Sequence, residues 1–452
     1  MTAQQLFVKT ALVCALASAA VATWAQAPVM DLKQVYQAAL EQDATIRASR
    51  ATADSGRERL PQARAGLLPQ ISASAGRNNN NLDTTAPNIL GTPVTTNEKY
   101  LSDNKTLQLR QPLVNMQRWL QFQQAKSVVE EVEANLDRDL QNLVVRVAGV
   151  YFEALMADEQ LDLVLAQKKT YTALVDAAKK GLAAGSGTRT DIDDAQSRLD
   201  MAAAQELEAR QNQDLARRQL QLLVNQPVNQ IAKLNVAALQ LSAPMPANLD
   251  DWTRKAEQAS PEIRAMQARL DAARHEVSKA QAGHLPTVDA VAQWSNSGSE
   301  NITRVNSRFE NKTIGLQLNI PLYSGGYVNS TIRQAVAEQT RAEESLEALR
   351  RDLGVRVHKE FRGVSEGVLR VRALEQAARS AEQMMKSTQM SLTAGSRTQL
   401  DVLNAQQQFT LALRDLAQAR LVYLLSKVRL ASLVGDDAMV SVEQVNGSLR
   451  VR

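Results

Sequence analysis

The chain is one unit written twice. Residues 32–71 align without a gap onto 249–288 at an offset of 217, with Ile46/Ile263, Arg47/Arg264, Asp54/Asp271, Arg57/Arg274, Gly66/Gly283 and Pro69/Pro286 among the identities. Leu107-Gln108-Leu109 followed by Pro112-Leu113 recurs as Leu316-Gln317-Leu318 followed by Pro321-Leu322. Further on, Leu182, Ala184, Gly185, Thr188, Asp191 and Gln196 recur at an offset of 210 as Leu392, Ala394, Gly395, Thr398, Asp401 and Gln406. A period this long means that a whole structural unit was duplicated, so the two copies are expected to share one fold.

Prolines mark the joints of each copy. None lies between Pro112 and Pro227 and none follows Pro321, which leaves two tracts free to be helical throughout. In the first, Val132, Leu136, Leu140, Leu143, Val147 and Tyr151 step by fours and threes, the stripe of a helix packing against partners. Phe409, Leu413 and Leu416 repeat the stripe in the second. Gly185-Ser186-Gly187 and Gly395 interrupt the tracts where a helix must turn back. As helix, residues 113–183 measure roughly 107 Å. The 452 residues could hold about three ordinary domains, but a rod of that length fits in none of them.

Between Pro69 and Pro112 the period changes to two. Ile71, Ala73 and Ala75 alternate with Ser72 and Ser74, and Leu107 and Leu109 with Gln108 and Arg110. In the second copy Val288, Ala290, Ala292 and Trp294 share one face, and Leu316, Leu318 and Ile320 lie opposite Gln317 and Asn319. The polar stretches between them, Arg77 to Asp83 and Ser295 to Ser307, are expected to be surface loops. The first repeat is placed at 26–227, with its strand pair at about 69–112 and its helical hairpin at 113–227. The second is placed at 249–435, with its pair at about 286–321 and its hairpin at 322–435. Residues 228–248, with Pro244 and Pro246, link the copies, and 436–452 form a tail.

Strands that are apolar on one face and polar on the other suit a membrane barrel, with lipid outside and water within. Four strands cannot close, and open edges are not tolerated in hydrocarbon. Single-chain barrels begin near eight strands, so two or three copies of this chain would be needed to supply eight or twelve. Periodicity alone does not choose between two and three.

Residues 1–25 read as a secretory signal: Lys9 is the positive charge, Ala11 to Ala22 the apolar run, and cleavage is expected after Ala25. Cys14, the single cysteine, leaves with the signal, so the mature chain has no thiol for disulfides, thiolate metals or nucleophilic catalysis. Ala11 lies three residues before Cys14, where a lipoprotein signal carries Leu, so no lipidation is expected. Past residue 30 no apolar stretch approaches a spanning helix. Lys+Arg 52 and Asp+Glu 48 nearly cancel to +4, with no basic block to hold nucleic acid. His275, His284 and His358 form no metal-spaced motif, no Ser/His/Asp arrangement stands out, and Gly185-x-Gly187 follows a helix rather than the strand a dinucleotide site requires. No enzyme, cofactor or metal is expected.

His284-Leu285-Pro286-Thr287, Gly315 to Pro321, Tyr323-Ser324-Gly325-Gly326-Tyr327-Val328-Asn329-Ser330, and Gly395-Ser396-Arg397-Thr398 through Asp401-Val402-Leu403 resemble the TolC family of outer-membrane efflux and secretion ducts. The resemblance covers essentially the whole mature chain. It implies a mixed α and β membrane protein: a homotrimer whose four strands per chain join in a twelve-stranded barrel in the outer membrane. Long helical hairpins would continue the barrel as a tunnel into the periplasm, with an equatorial domain from the linker and tail; the residues of the tail by themselves leave it equatorial or partly disordered. It further implies an exit duct of a tripartite efflux pump or a type I secretion system, engaged by a periplasmic adaptor and an inner-membrane pump and surrounded by outer-membrane lipid. The competing reading is a soluble periplasmic coiled-coil adaptor or scaffold, which has no use for four amphipathic strands.

Thr188 to Asp191 and Thr398 to Asp401 read as capping boxes with Asp in place of Glu. The resemblance adds a second reading, a periplasmic gate of Asp401, Asn404, Arg397, Thr190, Asp191 and Asp194. Asp401 and Asn404 share a helix face, and in a trimer each inward residue becomes three around one axis. The resembled family carries Asp at both positions, so Asn404 would leave one ring uncharged. Leu392 stands where an aromatic latch partner is expected. Gly181, Leu182, Gly185, Gly395 and Ser396 are hairpin-end candidates for docking the adaptor, and Gly325 and Gly326 for the strand-to-helix turn.

Overall fold

A computed structural model describes residues 29–185, 187–299 and 307–450; the expected signal, residues 1–25, lies outside them. The elements in chain order are α1 (Leu32–Gln42), α2 (Ala44–Arg57), α3 (Arg59–Ala65), β1 (Gln70–Pro87), β2 (Pro93–Val114), α4 (Met116–Ala183) and α5 (Arg189–Val224). They continue with β3 (Lys233–Leu234), α6 (Leu249–Ala259), α7 (Pro261–Gln281), β4 (Thr287–Ser299), β5 (Ser307–Asn319), α8 (Tyr327–Thr393), α9 (Gln399–Leu433), α10 (Ala438–Asn446) and β6 (Leu449–Arg450). Two compact units result, and each takes part of both repeats. One is Ala48–Arg138 with Ala259–Asp352; the other is the chain up to Arg47, Asp139–Gln258 and the chain from Leu353.

The first unit holds a four-stranded antiparallel sheet in the order β1-β2-β4-β5. Ile71, Leu109, Ala292 and Ile314 stand in one row across all four strands, and Ala73, Leu107, Trp294 and Lys312 in another on the same face. Between them, Ser72, Gln108, Gln293 and Thr313 form a row on the opposite face, because side chains alternate along each strand. The apolar face is bare: Ile71 is 72% exposed and Ile314 89%. Arg110 and the buried Asp289 pair on the polar side.

The strands run further than their alternation predicts. The Asn run, expected as a loop, is strand: Asn78 to Asn81 pair with Lys99 to Ser102, and the chain turns only between Pro87 and Pro93. Ser295 to Ser299 likewise continue β4, while 300–306 lie outside the described residues. The reason is chemical. Here both faces are polar, so no period of two remains to be read, yet the backbone ladder needs none, and side-chain bonds replace apolar pairing. Asn80 Nδ2 donates to Ser102 Oγ at 2.8 Å, Asn97 Nδ2 to Asn81 Oδ1 at 2.8 Å, and the Thr85 and Thr95 hydroxyls meet at 2.8 Å.

The second unit is built from α5, α9 and the parts of α4 and α8 that follow Arg138 and Asp352. Helix α4 has 68 residues and α8 has 67, each roughly 100 Å of helix. Leu143, Val147, Tyr151 and Leu155 of α4 are buried, with Leu220 and Val224 of α5, Leu353 and Val357 of α8, and Leu403 and Tyr423 of α9. One stretch of α4 is long and apolar enough, by length and composition, to cross a membrane, against the sequence expectation; 44% of it is buried inside the chain. Ala195, Ala202, Ala209 and Ala216 are buried at every seventh position of α5, and Val357, Val364, Val371 and Ala378 at every seventh of α8. A strict seven-residue seam keeps facing its partner only in a left-handed supercoil, and Ala in the seam lets helices approach closely.

The linker and the tail meet in this unit. β3 pairs antiparallel with β6, and Met30 bridges to Ile231. Two fully buried tyrosines pin the linker to the helices: Tyr151 OH donates to Ala232 O at 3.0 Å, and Tyr423 OH accepts from Ser242 N at 3.1 Å while donating to Ser242 O at 3.0 Å. The tail, expected as equatorial or partly disordered, carries α10, held to the start of α1 by Lys33 Nζ to Glu443 at 2.6 Å and Asn446 Nδ2 to Asp31 at 3.1 Å.

Candidate functional site

The two hairpin ends are built on one plan. Helix α4 stops because Gly185 adopts φ +73° and α8 because Gly395 adopts φ +75°, a left-handed conformation that costs glycine nothing. The Gly185 amide donates to Leu182 O at 3.0 Å and the Gly395 amide to Leu392 O at 3.0 Å. In the second end Ser396 closes a Schellman motif, its amide donating to Ser391 O at 2.9 Å and its hydroxyl to the same oxygen at 3.1 Å. In the first, the Gly187 amide donates to Gly181 O at 3.1 Å.

Each following helix opens with a reciprocal capping box. Thr188 Oγ1 accepts from the Asp191 amide at 3.2 Å, and Asp191 Oδ2 accepts from the Thr188 amide at 2.8 Å. Thr398 Oγ1 accepts from the Asp401 amide at 3.3 Å, and Asp401 Oδ2 accepts from the Thr398 amide at 2.9 Å. The Thr398 amide and then its hydroxyl, with the Arg397 guanidinium beyond, hold the Asp401 carboxyl below its ordinary 3.8. Arg397 itself is exposed, and its Nη1 lies 3.9 Å from Asp401 Oδ1. Among the described residues of one chain it makes no bond to Thr190 or Asp191. Thr190 and Asp194 are exposed. Leu392 packs on the buried cluster of Tyr171, Leu174, Ala202, Val402 and Leu403, which gives it a core role where an aromatic latch was expected.

Asn404 acquires a partner that the sequence did not suggest. Arg198 of α5 donates through Nη2 to Asn404 Oδ1 at 2.8 Å and through Nη1 to Gln407 Oε1 at 3.0 Å. The two residues are 206 positions apart, so no local spacing could announce the contact. Gln407 also lines a cleft of about 360 Å³ whose wall mixes the amides Gln160, Gln205 and Asn212 with the apolar Leu163, Ala209 and Leu411. In the other unit, Gly325 and Gly326 take φ +61° and +83° between β5 and α8. Among the described residues no group of three or more His, Cys, Asp or Glu side chains converges as a metal site.

A four-stranded sheet with one bare apolar face and helical hairpins of this length suit a membrane protein. Residues 35–226 and 252–436 match the outer membrane efflux protein family. The proteases secretion protein PrtF of Dickeya chrysanthemi is 31% identical over 90% of this chain and 89% of its own. The alkaline protease secretion protein AprF of Pseudomonas aeruginosa is 32% identical over 92% and 88%. Among solved structures, that of CusC, which forms a transmembrane channel, superposes with a TM-score of 0.77 at 17% identity, over 90% of this chain and 92% of that one. The chain belongs to the outer membrane efflux protein family, a family of transport proteins and not of enzymes. It is an outer-membrane exit duct, and the soluble-scaffold reading gives way with that.

Proposed function

We propose that three copies of this chain close into a twelve-stranded barrel continued by a helical tunnel. The duct would carry polypeptides, delivered by an inner-membrane pump through a periplasmic adaptor, out of the cell. The observation that carries the assembly is the sheet itself: among the described residues β1 and β5 each have an unpaired edge, and an edge in hydrocarbon must be satisfied by another chain. The cargo class rests on the protease-secretion relatives. Arg397, Thr190, Asp191, Asp194, Asp401 and Asn404 form the gate at the hairpin ends, where links between neighbouring chains hold the tunnel shut. Gly181, Leu182, Gly185, Gly395 and Ser396 present the turn surface to the adaptor.

Disulfide trapping tests the assembly. Within one chain β1 and β5 are three strand spacings apart, roughly 14 Å, beyond disulfide reach. Ala73→Cys combined in turn with Leu316→Cys and Leu318→Cys, in a mature chain that otherwise has no thiol, should yield on oxidation a covalent ladder ending at three chains. A protein that stays monomeric in detergent and yields no ladder overturns the assembly. Arg397→Ala and Asp401→Ala should each raise single-channel conductance in planar bilayers, and unchanged currents in both would remove the gate.

A further inference from the structure

We propose that Arg198 determines the ionic preference of the duct's periplasmic constriction by setting a fixed positive charge beside Asp401. The inference rests on the trimeric reading above and extends it to a residue outside the gate set. Both described hydrogen bonds of the Arg198 side chain go to neutral amides, Asn404 Oδ1 at 2.8 Å and Gln407 Oε1 at 3.0 Å. Asp194, one turn before it on α5, is not among its partners, and no carboxylate lies within ion-pair distance of it among the described residues. The guanidinium is therefore held in place without being neutralised.

Its position follows from the helix it grips. Asp401 and Asn404 are one turn apart on α9, about 4.5 Å of rise, so a cation bonded to Asn404 sits well inside the screening length of about 10 Å at 0.1 M salt from the Asp401 carboxylate. Per chain Arg198 adds one positive charge to the pair that Asp401 makes with Arg397 at 3.9 Å, and three-fold symmetry multiplies each charge equally. The carboxylates at the hairpin ends would draw cations into the constriction; Arg198, bonded to Asn404, adds to the positive charge of Arg397 and weakens that draw, so the passage discriminates less between small cations and small anions. A two-point grip on planar amides also suits Arg and not Lys, whose ammonium is a point donor. Charge and grip can thus be separated by mutation.

The test is the reversal potential of the purified full-length mature protein in planar bilayers under a KCl gradient. Arg198→Gln should move the potassium-over-chloride preference at least about threefold toward potassium, while Arg198→Lys, which keeps the charge and loses the double bond, should stay near the parent. Asp401→Asn should move it the opposite way. If Arg198→Gln leaves the potential unchanged while Asp401→Asn shifts it, the inference falls and the duct reading stands. If Arg198→Lys shifts as far as Arg198→Gln, the residue acts as a clamp and the inference also falls. If neither Asp401→Asn nor Arg198→Gln moves the potential, the constriction is elsewhere and both readings fall.

Discussion

The α4–α5 and α8–α9 ends share a backbone and differ in charge. Both turn on a glycine at φ near +74° and both restart on Thr-x-x-Asp. Yet Gly187 stands in the first where Arg397 stands in the second, and Asp194 where Asn404 stands. A Cβ on Gly187 would lie 3.0 Å from the Leu182 nitrogen and 3.1 Å from the Gly181 carbonyl carbon, because that amide folds back onto Gly181. In the second end the Ser396 amide closes the turn onto Ser391 O, and the next position carries the long side chain of Arg397. What the duplication kept is the geometry that reverses a helix. What it let vary is the set of charges displayed there, and any specialisation of one end over the other has to reside in those charges.

The sharpest way to break this comparison is to exchange the divergent pair. Gly187→Arg forces a side chain against backbone and should destabilise the first end by about 1–3 kcal/mol. Arg397→Gly removes an exposed side chain and should change stability by under about 1 kcal/mol. Thermal unfolding of the detergent-extracted protein, with limited proteolysis to locate the loosened end, measures both. Equal effects would mean that the two turns are interchangeable after all. A smaller and symmetric loss is expected from the caps: Thr188→Ala and Thr398→Ala should each cost about 1 kcal/mol. A clear inequality between them would show that one box is backed by contacts the other lacks.

How far these features could be read in the sequence follows from the range of the interactions. Capping boxes and left-handed glycines are written within four residues, and Thr188, Asp191, Thr398, Asp401, Gly185 and Gly395 spell them out. The apolar face of the sheet is legible from Ile71 to Ala75 and from Leu316 to Ile320, where one face differs from the other. It fades at Asn78 to Asn81, where both faces are polar and the strand is held by its ladder. Arg198 was illegible for a different reason: its partners are on another helix, two hundred positions away, and nothing about an arginine on a polar helix tells which neighbour it will meet. The same holds for Tyr151 and Tyr423: the stripe position of Tyr151 was readable, but the hydroxyl bonds of the two tyrosines to the linker were not. The even step of seven along α5 was readable in principle; its alanines are weak hydrophobes and carry little signal in a search for apolar stripes.

The smallest expected effect concerns protons. Asp401 has its folded-state carboxyl held below 3.8 by accepting from the Thr398 amide and hydroxyl. A depressed acid contributes stability that is fully present above its unfolded value and is lost as pH falls through the folded one. The cap on α9 should therefore be intact from neutral pH down to about 4 and weaken only below that. Hydrogen exchange across residues 393–404 should show protection at the Thr398 amide that is flat at neutral pH and declines under more acid conditions. In Asp401→Asn, which has no carboxylate to protonate, that decline should vanish and protection should be lower throughout. A Thr398 amide equally protected at both ends of the range would mean that the charge does nothing for the cap, leaving Asp401 free to act on what passes the hairpin ends.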